Sequence, residues 1–301
     1  MRRVILTALL FTLAGCSVKK YAIKQLGNAL SGIGDSFAAD DDPELIRSAV
    51  PFSLKLVETL LNEDPRNGQL LLAASKGFTQ YAYAFVQEEA DELEDRDRPA
   101  ALVMRQRAAK LYLRSRNYGL SGLELHHAGF TEKLKQNAKT AVAELKKADV
   151  PFAYWTALSW AAALSTSRDF MMMPEIPRFE ALAARVLELD EAYEDGVIHT
   201  FLITYEMSKL NPAPDRAARA KTHFDRSIAL CGGKLAGPYV GYAENVLVFQ
   251  KNKAEFQNML NVALKVDLNK SPDNRQLNLV MQRRARWLLS RIDKLFPPTT
   301  N

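Results

Sequence analysis

The chain has 301 residues, of which 48% are apolar and 25% are charged, which is the composition of a folded globular protein rather than of a disordered one. Its formal net charge is +5, and this falls to +3 when Arg2 and Arg3 are removed with residues 1–15. A charge so close to neutral gives no reason to expect binding to nucleic acid, and the length allows one large domain or two small ones.

The first sixteen residues have the layout of a bacterial lipoprotein signal. Arg2 and Arg3 form a charged start, residues 4–13 form an uncharged apolar run, and Leu-Ala-Gly-Cys ending at Cys16 resembles a lipobox, in which the cysteine is acylated and the chain is cut before it. The apolar run is half of the ~20 residues that span a bilayer as a helix. We therefore interpret residues 1–15 as a lipoprotein signal peptide, with an ordinary signal and a chance cysteine as the alternative.

Lipidation at Cys16 would place the mature chain in the cell envelope, facing the periplasm and held to a membrane by its acyl chains. Ser17 follows the cysteine, and in bacteria that sort lipoproteins by this position serine favours the outer membrane. Export makes ATP, nicotinamide cofactors and DNA poor candidates for partners. Cys231 would then be the one remaining thiol, so we expect no intrachain disulfide and a core held together by packing.

Helical periodicity recurs along almost the whole chain, and no run of alternating polar and apolar residues is long enough to predict a strand. We expect residues 16–42 to form a lipidated tether with an N-terminal helix, and residues 43–301 to form one helical-repeat domain. Asp42-Pro43 predicts a helix start, and the densely charged residues 88–98 predict a solvated helix end. The twelve predicted helices lie at about 17–38, 43–63, 68–88, 99–126, 131–148, 150–166, 178–189, 193–209, 215–230, 238–250, 253–266 and 273–295.

Short helices joined by short loops predict an all-α fold, an array of antiparallel helical hairpins. The spacing of small and large residues favours cryptic tetratricopeptide-like repeats, in which small side chains let paired helices approach each other. Such arrays leave a concave groove that binds peptides or proteins. The two sets that match the second helix of such a repeat are Ala108, Tyr112 and Ser115, and Ala220, Phe224 and Ser227.

The sequence contains no pattern that predicts catalysis. None of the four histidines has the spacing of two metal ligands on one helix face, and no nucleophile elbow or phosphate loop is present. The nearest approach to a metal site is Glu124 with His126 and His127, for which a solvated helix end is the preferred interpretation. We therefore expect no metal, no cofactor and no enzymatic activity.

Three features are candidate surfaces for a ligand or partner. Aromatic residues at helical spacing are the first, with core packing as the alternative. A methionine-rich loop at 167–177 is the second, with a loop packed on the domain as the alternative. The basic side of the last helix (Arg283, Arg284, Arg286 and Arg291) is the third; it is a solvated face or meets an acidic partner or anionic headgroups. The residues that we single out are Tyr81, Phe85, Trp155, Trp160, Arg168, Met172, Tyr239 and Tyr242.

The lipobox, the irregular repeats and two segments, residues 70–82 (LLLAASKGFTQYA) and residues 237–244 (GPYVGYAE), resemble the T-component lipoproteins (TatT type) associated with tripartite ATP-independent periplasmic (TRAP) transporters. The resemblance implies a helical protein with tetratricopeptide-like repeats that self-associates, with a homotrimer as one form. It also implies association with the periplasmic solute-binding protein, and a pocket or pore for a small apolar or carboxylate-bearing ligand. It transfers no ligand-contacting residue by motif.

Two functions from different classes remain at this point. The first is a non-enzymatic accessory or scaffold of TRAP-type solute uptake that binds the solute-binding protein. The alternative is a helical-repeat envelope lipoprotein that scaffolds outer-membrane or cell-wall assembly. The proteins that the mature chain captures from an envelope extract distinguish the two.

Overall fold

The computed structural model describes residues 33–167, 169–209 and 214–298, and every regular element within them is a helix. The all-α prediction is confirmed, whereas the assignment to tetratricopeptide-like repeats stays a prediction. None of the helices in these three ranges is long and apolar enough to cross a membrane. The α-helices are α1 (Ile33–Ala39), α2 (Pro43–Glu63), α3 (Gly68–Ala82), α4 (Glu88–Leu93), α5 (Arg98–His126), α6 (Phe130–Gln136), α7 (Ala138–Ala143), α8 (Val150–Ser167), α9 (Ile176–Asp190), α10 (Tyr193–Ser208), α11 (Arg216–Cys231), α12 (Gly237–Tyr242), α13 (Lys253–Leu264), α14 (Arg275–Ser290) and α15 (Ile292–Leu295).

Local capping explains why most of the predicted boundaries agree with the structure. The carboxylate of Asp42 accepts hydrogen bonds from the backbone N–H groups of Glu44 and Leu45, and proline occupies the first turn of α2. Asn67 caps α3 in the same way, through the N–H of Leu70. These signals lie within three residues of the helix ends that they stabilise, so the sequence alone carries them.

The single helix predicted at residues 131–148 is wrong, because the chain bends at Asn137. This residue has an extended backbone (φ −152°, ψ 96°), and its side-chain amide accepts a hydrogen bond from the N–H of Thr140. The segment therefore forms two short helices, α6 and α7, and Asn137 ends the first and caps the second.

Gly119 and Gly122 lie in an unbroken part of α5 and mark its closest contact with α8. A Cβ atom built on Gly119 would overlap the Thr156 hydroxyl, and one on Gly122 would overlap the ring of Phe152. The absence of a side chain at these two positions lets α5 and α8 pack closely, and the two helices form the most extensive helix pair of the described fold.

Buried apolar side chains form two clusters that meet at one segment of the chain. The first cluster involves α2 to α10 and includes the fully buried Leu70, Tyr112 and Phe130. The second involves α10 to α15 and includes Phe256 and Leu260. Tyr83 and Ala84, directly after α3, pack against both clusters.

The last long helix folds back onto the first helices of the array. The guanidinium of Arg275 at the start of α14 donates to the backbone carbonyl of Ala39 at 3.0 Å. Farther along α14, Arg283 makes a bidentate pair with Glu92 at 2.7 and 2.8 Å. The prediction that residues 88–98 form a solvated helix end is therefore wrong for α4, because none of its residues is exposed and its carboxylates pair with arginines of α14, whereas residues 95–98 are exposed.

Most of the basic side of α14 is correspondingly not a free surface, although Arg286 is exposed. Arg283, Arg284, Arg291 and the following Lys294 all pair with carboxylates from residues 88–95. An acidic segment and a basic segment about 190 residues apart in the chain thus bring α4 and α14 together.

Candidate functional site

The two hydrophobic clusters are joined at a site where two π-helical segments meet α14. Tyr83–Gln87 connects α3 to α4, and Ala243–Leu247 continues α12. Single π-helical turns inside α-helices are frequent at functional sites, because the extra residue redirects the side chains that follow it. Glu88 follows the first segment directly and Glu244 belongs to the second, and both carboxylates reach the same arginine.

We call Glu88, Asp91, Glu244 and Arg284 the junction cluster. Arg284 places its Nη1 atom 3.2 Å from Glu88 Oε1 and 2.9 Å from Asp91 Oδ2. Its Nε atom donates to Glu244 Oε2 at 3.0 Å, and a second bond to the same carboxylate makes that pair bidentate. Three carboxylates from two π-helical regions thus share one guanidinium.

Glu88 is the most buried member of the junction cluster. Its side chain is 1% exposed, and among the described atoms its Oε2 has no hydrogen-bond partner. The pKa of Glu88 is raised to about 7, and burial is the largest cause. The nearby carboxylates of Glu244 and Asp91 act in the same direction, since like charges disfavour ionisation, whereas the charge of Arg284 opposes the shift. Glu88 therefore gains or loses its proton near neutral pH.

We expect Glu88→Gln to make the folded protein more stable than the wild type at about pH 8. The unfolded carboxyl titrates near pH 4.5. Between that pH and about 7 the folded protein holds a proton that the unfolded chain has released, so wild-type stability falls as pH rises. Glutamine removes this loss, which is worth about 1.4 kcal/mol for each unit of pKa difference. Urea unfolding of both proteins at about pH 5 and pH 8 tests this prediction. If the variant and the wild type differed in free energy of unfolding by the same amount at both pH values, the prediction would be contradicted.

A polar cavity of about 230 Å³ adjoins the junction cluster, and Asp91 links the two. Asp91 Oδ1 accepts from Arg105 at 2.8 Å, while its other oxygen faces Arg284. This volume is below the ~300–1,000 Å³ of typical ligand pockets, and the lining is mainly polar. The residues that line the cavity are Gln87, Asp91, Arg105, Ser165 and Thr166.

Gln87, the last residue of the first π-helical segment, is oriented by two hydroxyl groups. Its Oε1 atom accepts from Tyr112 at 2.7 Å and from Thr166 at 3.3 Å. Tyr112 is fully buried in α5, and Thr166 lies near the end of α8. Three helices therefore hold the side chain of Gln87 at the wall of the cavity.

The structure places the predicted aromatic residues in several separate parts of the core. The ring centroids of Tyr81 and Phe85 are 5.7 Å apart, and the guanidinium of Arg107 lies over the Tyr81 ring. Tyr239 and Tyr242 both pack on Phe224 in the second cluster. Three of these four residues are buried, and Tyr239 has an intermediate exposure. A role of any of the four in contacting a ligand stays a prediction.

The two tryptophans singled out from the sequence are also buried, but each has a polar side. Trp160 donates from Nε1 to Glu175 at 2.7 Å, and Arg116 lies over its ring. Trp155 has Lys76 over its ring, and its Nε1 atom has no hydrogen-bond partner among the described atoms. Their role in binding a ligand stays a prediction.

The other predicted positions lie in or beside segments outside the described ranges. Met172 is partly buried against the first cluster, and its sulfur accepts from the hydroxyl of Ser167. Arg168 and the lipidation site Cys16 lie outside the described residues. Cys231 is buried at the end of α11, directly before Gly232 and Gly233.

Glu124, His126 and His127 do not converge on a common point. Glu124 accepts hydrogen bonds from backbone N–H groups in the turn after α5. His126 and His127 both bond the buried carboxylate of Asp149, at 2.8 and 2.9 Å. In the described parts of the chain, no group of three or more histidine, cysteine, aspartate or glutamate side chains is arranged to hold a metal ion.

Sequence reasoning missed the junction cluster, although one signal for it is present. The core-facing stripe that begins in α3 includes Phe78, Tyr81 and Phe85, and the next step of three residues reaches Glu88. A charged residue at a core position is informative, since glutamate is almost never fully buried unless it is paired. The basic run at 283–294 supplies the partner.

Comparison with known proteins agrees with the resemblance read from the sequence. The family model described as TRAP transporter T-component matches residues 39–296, well over half of the chain. An uncharacterized protein of Treponema pallidum (strain Nichols) is 27% identical over 302 residues, and the match covers 94% of each chain. The matched region includes both π-helical segments and the whole junction cluster. The chain therefore belongs to the TRAP transporter T-component family.

Proposed function

We propose that this protein is a non-enzymatic accessory component of a TRAP-type uptake system that binds the periplasmic solute-binding protein. The observation that carries the proposal is the family match over residues 39–296. The signal-like residues 1–15 and the lipobox at Cys16 support an exported, lipid-anchored and periplasm-facing protein in the cell envelope. Ser17 supports the outer membrane as its location. The family match does not favour the alternative of a scaffold for outer-membrane or cell-wall assembly.

A small ligand forms the second part of the proposal, and the polar cavity beside the junction cluster is its place on this chain. Arg105 and Gln87 carry N–H groups at the cavity wall, so they suit the carboxylate of a small ligand. Asp91 and Arg284 connect the cavity to the junction between the two hydrophobic clusters. Occupancy of the cavity is thereby linked to the packing of α14. Self-association, with a homotrimer as one form, completes the proposal.

Capture of partners by the mature chain tests the proposed function. Lipid-free residues 17–301 are immobilised and exposed to periplasmic and membrane extract, and mass spectrometry identifies the retained proteins. We expect a solute-binding protein as the main partner, since the family acts with TRAP transporters. The same protein, heat-unfolded before it is exposed to the extract, controls for non-specific capture. Enrichment of barrel-assembly proteins or cell-wall enzymes instead would contradict the transport function.

A further inference from the structure

A continuous chain of ion pairs connects the junction cluster with the polar cavity. Arg284 faces the three carboxylates of the cluster, and one of these, Asp91, also faces Arg105 at the cavity wall. Arg105 has Glu94 as a further partner. Arg98 approaches Glu94 at 3.5 Å as well, but its side chain is 80% exposed, so water screens its charge. Apart from Arg98, four carboxylates thus face two guanidinium groups.

This excess of carboxylates lies in a part of the fold with little access to water. Glu88 is 1% exposed and Arg284 is 10% exposed, and the other four side chains of the chain of ion pairs are at most 30% exposed. Charges interact more strongly away from water, and like charges disfavour the ionisation of one another. A further negative charge in the cavity is therefore unfavourable unless one of the carboxylates takes up a proton.

Glu88 is the carboxylate that is best placed to take up this proton. Its Oε2 atom has no hydrogen-bond partner in the part of the chain that the structure describes, so it can carry a hydrogen without giving up a bond. Its Oε1 atom and the Oδ2 atom of Asp91 both face the same nitrogen of Arg284, Nη1. The carboxylate that lines the cavity and the carboxylate that can be protonated are therefore direct neighbours.

Every element packed around Glu88 contributes a group that acts on its titration. The two arginines favour its ionised form, and the two neighbouring carboxylates favour its protonated form. The two tyrosines stay neutral near pH 7, because burial raises the pKa of each well above its usual value. The titratable or charged residues that face Glu88 are Tyr83, Asp91, Tyr112, Glu244, Arg283 and Arg284. With a pKa of about 7, Glu88 exchanges its proton with water close to neutral pH.

We propose that the polar cavity binds a small monocarboxylate together with one proton, which Glu88 takes up from water. This inference rests on the small-ligand part of the proposed function. The ligand carboxylate accepts hydrogen bonds from Arg105 and Gln87, and its negative charge adds to that of Asp91. Protonation of Glu88 removes one negative charge from Arg284, which then stabilises its remaining carboxylates more fully. The ligand enters with the net charge of its neutral acid, although the carboxylate and the proton occupy different places.

The pH dependence of propionate binding tests this proposal on the mature chain, residues 17–301. Shifts of ¹⁵N-labelled arginine side chains in NMR spectra report the binding. Below about pH 7 the affinity is expected to be constant, and above it to fall about tenfold for each pH unit, because binding then requires a proton that the free protein has released. Glu88→Gln is expected to bind equally well at about pH 6 and pH 9. The matched control is Glu92→Gln, also in α4 but paired with Arg283, and it should keep the wild-type dependence.

Equal affinity of the wild type at both pH values would overturn the proposal, and so would a wild-type pH dependence in Glu88→Gln. If propionate binds at neither pH, the ligand part of the proposed function loses its support, and a second measurement decides on the proton. Arg105→Met removes a positive charge at the cavity wall, which has the same electrostatic sense as the addition of a carboxylate. A higher titration midpoint of the ¹³C-labelled Glu88 carboxyl in this variant supports the coupling for another carboxylate, and an unchanged midpoint overturns it.

Discussion

Replacing Arg284 with methionine is expected to lower the free energy of unfolding by about 3–5 kcal/mol, because it removes one partner of a buried ion pair. Glu88 and Glu244 would lose the cation that they share, and Glu88 has almost no access to water. Asp91 would keep Arg105 as a partner. Methionine has a similar length but no charge, so the loss reports on the electrostatics of the site more than on its packing. Urea unfolding at neutral pH measures the change.

The neighbouring substitution Arg283→Met is the matched control. Arg283 pairs with Glu92 on the same helix pair, but its side chain is 40% exposed, and exposed pairs contribute about 0–1 kcal/mol. We expect Arg284→Met combined with Glu88→Gln to recover part of the loss, since the double variant no longer buries a titratable carboxyl group without its cation. Equal effects of Arg284→Met and Arg283→Met would show that the junction cluster stabilises the fold no more than a surface pair does.

Helix positions could be predicted from the sequence because their causes are local. The Asp42 and Asn67 caps lie within three residues of the backbone groups that they satisfy. The break at Asn137 is equally local, yet the pattern around it is helical on both sides. An asparagine in such a pattern is compatible with a solvated position inside a helix or with a helix cap. Periodicity does not distinguish the two, so the sequence predicts one continuous helix where the chain in fact turns.

The junction cluster could not be predicted because it depends on contacts between distant parts of the chain. Glu88 and Arg284 are 196 residues apart, and local periodicity does not show which carboxylate meets which guanidinium. The π-helical turn before Glu88 also shifts the faces of the helix by one residue relative to a regular α-helix. The acidic segment at 88–95 and the basic segment at 283–294, which the sequence presents as separate solvated surfaces, pair with each other in the structure. Their opposite charges and similar lengths were the available signal.

The aromatic residues show the converse limit of sequence reasoning. Phe78, Tyr81 and Phe85 follow a helical stripe that core packing produces and that ligand binding would produce as well. Their burial agrees with packing, and the polar cavity lies one turn farther along the same segment, at Gln87 and Asp91. A stripe of large apolar residues therefore located the region of the candidate site without identifying the polar residues that line it.

Substituting alanine for Gly122 is expected to destabilise the protein by about 3 kcal/mol, at the upper end of the cost of overpacking a core. The new methyl group would overlap several atoms of the Phe152 ring, and this ring is buried between α5 and α8. The clash lies at the tightest part of an extensive helix contact, so relief requires the two helices to move apart. Separation of α5 and α8 would also displace Thr166 and Tyr112, which hold Gln87 at the cavity.

The same substitution at Gly241 separates this clash from the general effect of alanine in a helix. Gly241 lies within α12, and a Cβ atom there would meet its nearest neighbour, the Thr204 hydroxyl, at an ordinary 3.7 Å. Alanine favours a helix over glycine by about 1 kcal/mol, so Gly241→Ala is expected to leave stability unchanged or raise it. Thermal and urea unfolding of both variants measure the difference. A Gly122→Ala protein as stable as Gly241→Ala would mean that Phe152 rotates away at little cost, and that close approach of α5 and α8 does not depend on glycine.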